Sequence, residues 1–325
     1  MPNPQSMNAA PRKVPAITLA GLGEVGRIYA TALLGMGVPV RVYHPAAGAL
    51  TREAAQQAGV AIDSDAAAAF GDADLVLSVA PGAVALDIAT VASDMMKPGA
   101  LFADFTSAAP ADIRAAAALF APDAYVDVAI MGALSIHGHR TPLLAAGPGA
   151  ARLDASLRPF GFEIDCMPGS ASGDATSLKM LRSVFTKGMD AVVIECLLAA
   201  EAAGLRPQLL QQMADMDRIP MRETIEMYVR THAASAQRRL HEMEAVSQQL
   251  EDLGTPALVT PAVLARYRRT VAMLGAAARN PPLPEGGTIY DAVLPWLLAA
   301  ERATMAGHGA ANLSTPPDPH FQGTS

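Results

Sequence analysis

Short apolar runs alternate with alanine-rich, helix-compatible stretches from Ala16 to about Pro168. Residues 17–20, 38–43, 75–79, 100–105, 125–130 and 143–146 read as strands, with a short one at 61–62 and a last run around 162–166. The run 75–79 is apolar but for Ser78, as suits a strand buried on both faces. Strands alternating with helices predict an α/β layer, a mainly parallel sheet covered on both sides. In such sheets ligands lie beyond the carboxyl ends of the strands. That edge carries Gly21–Gly26, His44-Pro45, Ala80-Pro81-Gly82, Thr106-Ser107 and Met131-Gly132.

The alternation stops at Ser170-Ala171-Ser172-Gly173. Residues 174–203 read as one long helix ended by Gly204, and Pro207 opens the next. Pro220 interrupts, and 221–253 reads as one helix up to Gly254. Two more helices, 260–274 and 289–305, flank Asn280-Pro281-Pro282-Leu283-Pro284, with Trp296 packing the last of them. The expected organisation is a tail at 1–14, a sheet domain at 15–169, an all-helical domain at 170–312 and a tail at 313–325.

Gly21-Leu22-Gly23-Glu24-Val25-Gly26 lies between the first strand and the first helix. The first glycine permits the turn, the second lets backbone approach a pyrophosphate, and the third packs helix on strand. The anion would sit on the unpaired N–H groups at the helix start. This predicts an N-terminal Rossmann doubly wound sheet that binds a dinucleotide, followed by the all-helical C-terminal domain. An NAD site usually ends its second strand with an acid, but Tyr43-His44-Pro45 stands there. With no carboxylate to repel a 2′-phosphate, NADP is favoured over NAD, with His44 and Arg52 as candidate contacts. Ala80 and Pro81 would close over the middle of the cofactor. Thr106 or Ser107 would offer a hydroxyl on the nicotinamide side, or cap the helix that follows.

The 325 residues carry a net charge of -7 and no run of Lys or Arg, which argues against a nucleic-acid partner. The two cysteines, Cys166 and Cys196, lack metal-ligand spacing and read as buried free thiols of a reducing compartment. No signal-type segment or membrane-length apolar run is visible, so a soluble cytoplasmic protein is expected. His137 and His139, with Asp127, make too small a set for a structural zinc site, and no metal is expected.

Gly173 to Ser183 is the second key stretch. On a helix Lys179 and Ser183 share a face, with Arg182 close by. A lysine among Leu178, Met180 and Leu181 is partly desolvated, which lowers its pKa towards a range useful for proton transfer. With these motifs in this order, the chain resembles the β-hydroxyacid dehydrogenase superfamily, which includes 3-hydroxyisobutyrate and 6-phosphogluconate dehydrogenases. The motifs are the glycine stretch, Asp104-Phe105-Thr106-Ser107, the lysine stretch and Glu195 to Leu205. Arg238 to Met243 resembles a divergent, phosphogluconate-dehydrogenase-like branch.

The resemblance implies Lys179 as the catalytic residue. Substrate contacts are expected at Thr106, Met131, Gly132, Arg140, Arg182 and Ser183. Two departures stand out. Met131 replaces the serine of a carboxylate-gripping loop, and Ser183 replaces an asparagine. Arg182 or Arg140 would then anchor a carboxylate, and Met131 points to a bulkier or less polar substrate. The reaction implied is hydride transfer between NAD(P) and the carbinol carbon of a β-hydroxy acid or related compound. Imine reduction, whose branch generally lacks this lysine, oxidative decarboxylation, and nucleotide sensing without catalysis stay open. The apolar helical domain is expected to form a homodimer.

Overall fold

The computed structural model describes residues 14–277 and 288–312. The expected tails, apart from Val14, and the proline-rich 280–284 lie outside them. By internal contacts the chain divides after Phe185 into two compact units.

The first unit begins β1 (Ile17–Ala20), α1 (Glu24–Gly35), β2 (Val40–Tyr43), α2 (Ala49–Ala58), β3 (Ile62–Asp63) and α3 (Ala66–Phe70). It continues β4 (Leu75–Ser78), α4 (Ala85–Met95), β5 (Leu101–Asp104), α5 (Pro110–Ala117) and β6 (Tyr125–Ile130). Then come α6 (Leu134–His137), β7 (Leu143–Ala146), α7 (Ala150–Leu157), β8 (Ile164–Cys166) and the start of α8 (Asp174–Ala202). The strands form one eight-stranded sheet in the order β3-β2-β1-β4-β5-β6-β7-β8. Strands β1 to β6 are parallel, as the alternation predicts. Between β6 and β7 there are the single-turn α6 and a 3-10 turn at Gly138–Arg140, and β7 returns antiparallel.

Both sheet faces are covered. Leu19, Val42 and Leu77 meet Tyr29 and Leu33 of α1 on one side. Val76 and Phe102 meet Ala89 of α4 and Ile113 of α5 on the other. Full burial of side chains of this size contributes about 1.5–3 kcal/mol each, which makes the sheet core the main support of the edge that carries the chemistry.

The second unit is helical, with α9 (Arg206–Met213), α10 (Met221–His232), α11 (Ala236–Asp252), α12 (Thr260–Ala277) and α13 (Ile289–Asn312). The single helix expected over 221–253 is two. The break falls at Ala233-Ala234-Ser235, where Ala236 N donates to Ala233 O in a tight turn. Ala233 and Ala236 are both buried. Small residues that would also suit a continuous helix hide such a break from periodicity. Among the described residues no helix is long and apolar enough to cross a membrane.

The packing of α1 on β1 is testable at its glycines. A Cβ on Gly26 would lie 2.6 Å from the Gly21 carbonyl, whereas one on Gly35 meets nothing within 4 Å. Gly26→Ala is expected to destabilise the protein by about 1–3 kcal/mol in urea unfolding. Gly35→Ala should be neutral or stabilising by up to about 1 kcal/mol.

Candidate functional site

At the end of β1 the chain turns at Gly21, whose φ of 112° lies in the region that favours glycine. Its N–H donates to Tyr43 O at 3.1 Å, tying the turn to the end of β2. A Cβ on Gly21 would come within 3.1 Å of the Ala80 backbone, so the first turn and Ala80 are in close approach. Gly23 differs, because a Cβ there would meet no protein atom within 4 Å. It precedes α1, which starts without a side-chain cap. Open space before uncapped N–H groups fits an anion drawn by the helix dipole.

A cavity of about 830 Å3 continues from this point. Gly21, Leu22, Gly23, His44, Ala80 and Pro81 line it, joined by the apolar Val79, Val84 and Ile88. These apolar walls suit a planar ring, and the glycine end suits a pyrophosphate. Nδ1 of His44 is buried with no hydrogen-bond partner among the described residues. The residues present therefore fit a dinucleotide. Glu24 stands exposed in the first turn of α1, Val25 packs against the core, and Gly26 is buried beneath the turn. Arg52 is exposed on α2, while Thr51 lines the cavity.

The lysine end is built from the segments that follow β5 and β6 and from the start of α8. Lys179, in the second turn of α8, donates from Nζ to Ser107 Oγ at 3.3 Å. Burial pulls its pKa below the ordinary lysine value, and the negative charge of Asp127 partly opposes that. Ser183 Oγ donates to Lys179 O at 2.9 Å, so its hydroxyl proton is committed to its own helix. Arg182 is exposed, and its guanidinium donates to Met131 O at 3.4 Å. Met131 packs partly against Ala129, Leu144, Ala146 and Ala175. A Cβ on Gly132 would sit 3.1 Å from the Thr141 methyl. Lys179, Arg182, Ser183, Met131 and Ser107 thus come together. Arg140 is exposed, with its Nε near Gly161, where His139 also stacks edge-on against Phe162. Burial, with the charge of Arg140, lowers the His139 pKa.

Beneath these groups lie two fully buried carboxylates, Asp104 and Asp127, in register on β5 and β6. Asp104 accepts from Thr106 N at 2.8 Å and from Tyr125 Oη at 2.8 Å. Thr106 is thereby placed as a buried turn residue beside Asp104. Asp127 accepts from Gly173 N at 2.9 Å, Thr176 N at 3.0 Å and Thr176 Oγ1 at 2.6 Å. Burial raises both carboxyl pKa values, and these hydrogen bonds hold them back. The motifs do not by themselves reveal this network. The signal was present, since an acid inside an otherwise apolar strand needs partners.

Among the described residues no group of three or more His, Cys, Asp or Glu is placed to hold a metal. In the helical unit an apolar cavity of about 580 Å3 lies among α8, α9, α11 and α12. At its edge Glu195 accepts from the N–H groups of Leu258, Val259 and Thr260 and from Thr260 Oγ1, capping α12. Burial works against this carboxylate's charge, but the four bonds outweigh it and hold its pKa below the usual range.

A family model described as a domain of unknown function, DUF1932, matches residues 200–270. An uncharacterised 28.5 kDa protein from the 7S RNA 5′ region of Methanothermus fervidus is 28% identical over 167 residues. That match spans 51% of this chain and 64% of the relative. The conserved protein MTH1747, of unknown function and described as structurally similar to 3-hydroxyacid dehydrogenases, is 27% identical with a TM-score of 0.55. It covers 79% of this chain and 97% of its own. An imine reductase of Aspergillus terreus, solved with NADPH4 and dibenz[c,e]azepine, has a TM-score of 0.65 at 17% identity. It covers 80% of this chain and 94% of its own. The chain therefore has the 3-hydroxyacid dehydrogenase fold, one shared by NAD(P)-dependent reductases, in agreement with the resemblance read from its motifs.

The buried network has a measurable worth. Tyr125→Phe removes one donor from Asp104 without changing the ring, and it should cost about 1–3 kcal/mol in urea unfolding.

Proposed function

We propose that the protein is an NAD(P)-dependent dehydrogenase or reductase acting on a β-hydroxy acid or a related, bulkier hydroxy compound. The observation that carries this reading is the half-buried Lys179 amine held on Ser107, in the same unit as the glycine-edged cavity. The dinucleotide would be held by the Gly21–Gly26 turn, the start of α1, His44, Ala80 and Pro81. When bound, it supplies or accepts hydride.

The chain's own residues handle the proton and the orientation. As a neutral amine Lys179 accepts the substrate hydroxyl proton during oxidation. As an ammonium it returns a proton to the carbonyl oxygen during reduction. Desolvation makes the neutral amine accessible at a lower pH than in an ordinary lysine. Ser107 holds the amine in place before substrate arrives. Arg182, anchored on Met131 O, presents a fixed cation that suits a carboxylate. Met131 supplies apolar surface where a carboxylate-gripping serine is expected. NADP is favoured over NAD, because His44 follows β2 where an NAD site usually places an acid. The NADPH-type ligand of the imine reductase fold neighbour supports a nicotinamide cofactor. A second copy of the chain would cover exposed apolar residues along α8 such as Val184, Val193, Ile194 and Leu198.

Imine reduction is the second reading, favoured by the shared fold and disfavoured by Lys179. A panel of hydroxy acids, aldehydes and cyclic imines, followed at the nicotinamide absorbance, tests both. Lys179→Ala should lower kcat by about 100-fold or more, in line with loss of general acid–base catalysis, and leave cofactor Kd unchanged. Turnover of imines alone, insensitive to Lys179→Ala, would contradict the hydroxy-compound reading. Cofactor binding with no turnover across the panel would favour a nucleotide sensor.

The pH profile carries a sign. Oxidation needs the free amine, so its rate should rise with pH through a pKa below the ordinary lysine value of about 10.4. Reduction should fall through the same pKa. In Lys179→Arg this limb should vanish from both directions.

A further inference from the structure

The two buried acids lie deeper than the groups assigned to the reaction, yet each touches a segment that presents one of those groups. Asp104 accepts from Thr106 N, which shapes the turn that carries Ser107. Asp127, in register with it on the neighbouring strand, takes three donors from the start of α8. Lys179 follows Thr176 by three residues, one helical turn further on. The helix start is also fixed from its other side. Gly173 has a φ of 98°, and a Cβ there would meet the Arg114 side chain at 3.1 Å and Pro110 O at 3.2 Å.

We propose that Asp127 is a positioning residue for Lys179, pinning the first turn of α8 to β6 so that the amine is delivered to Ser107. The inference rests on Lys179 as the acid–base group. An acid here is more than a helix cap. A fully buried carboxylate is costly unless paired, and an exposed Ser, Asp or Asn would cap the same turn without that cost. Burial instead binds the helix to the middle of β6 through both carboxylate oxygens. Displacement of Lys179 by an ångström would break its contact with Ser107, and misplacements of that size cost about 100-fold in rate.

The chain has only four lysines, Lys13, Lys97, Lys179 and Lys187. Their 13C-dimethylated resonances are therefore few enough to follow by NMR in the full-length protein, with Lys179→Arg assigning the signal. Asp127→Asn preserves the cap, since its amide oxygen accepts the two N–H groups and its amide nitrogen donates to Thr176 Oγ1. Asp127→Ala removes it. Both variants remove the Asp127 charge that favours the ammonium, so Asp127→Asn should lower the Lys179 titration, and in Asp127→Ala, where water reaches the displaced amine, it should lie clearly above that of Asp127→Asn. Turnover of the panel substrate should fall about 100-fold in kcat in Asp127→Ala, with KM within about threefold, and Asp127→Asn should recover about tenfold of that loss.

A Lys179 titration no higher in Asp127→Ala than in Asp127→Asn would overturn the proposal, whatever the rates do. If that variant fails to fold, Thr176→Val removes only the hydroxyl donor. A smaller upward move is then expected, and no move overturns the proposal. If the titration responds as expected while Lys179→Ala keeps full turnover, the positioning stands and the acid–base reading falls.

Discussion

Two carboxylates buried side by side at the carboxyl edge of the sheet set the terms for everything above them. Asp104 and Asp127 have no exposed surface and face each other's strand in register. Buried charge without hydrogen bonds is among the most expensive features a fold can carry. The donors that relieve it come from the turn at Thr106, from Tyr125 and from the start of α8. These segments also carry Ser107 and Lys179. Satisfying the buried acids and assembling the lysine site are therefore one structural event, and the apolar sheet core supplies the rigidity that both need.

The strand pattern was legible almost in full, because fully buried parallel strands read as short apolar runs bounded by turn residues. Ile17–Ala20 and Tyr125–Ile130 coincide with the runs residue for residue, and β2 begins at Val40 rather than at residue 38. The glycine turn was equally readable, since only glycine fits at Gly21 and at Gly26. The break between α10 and α11 was not, because Ala233-Ala234-Ser235 carries no local signal against a helix and the break comes with burial of Ala233 and Ala236.

At the site, the sequence singled out Lys179 and offered Thr106 or Ser107 as the hydroxyl on the nicotinamide side. The choice depends on which side of a tight turn faces the helix, and a linear motif does not encode it. Here Thr106 folds inward against Asp104, and Ser107 meets the lysine. Asp127 was visible only as a third partner for two loop histidines. The contacts that reveal its role span more than forty residues of sequence, from Asp127 to Gly173 and Thr176. In the helical unit Glu195 repeats the same device, one carboxylate gathering the N–H groups that open α12.

The account stands first on the glycine-edged cavity as a dinucleotide site. Calorimetric titration of the full-length protein with NADPH tests this directly, with Gly23→Val alongside, because a side chain there would enter the open space before α1. The account predicts one dinucleotide bound per wild-type chain and none bound by Gly23→Val, with both proteins folded by circular dichroism. Absence of binding to the wild type by NADPH, and by NADH in a parallel titration, would contradict it.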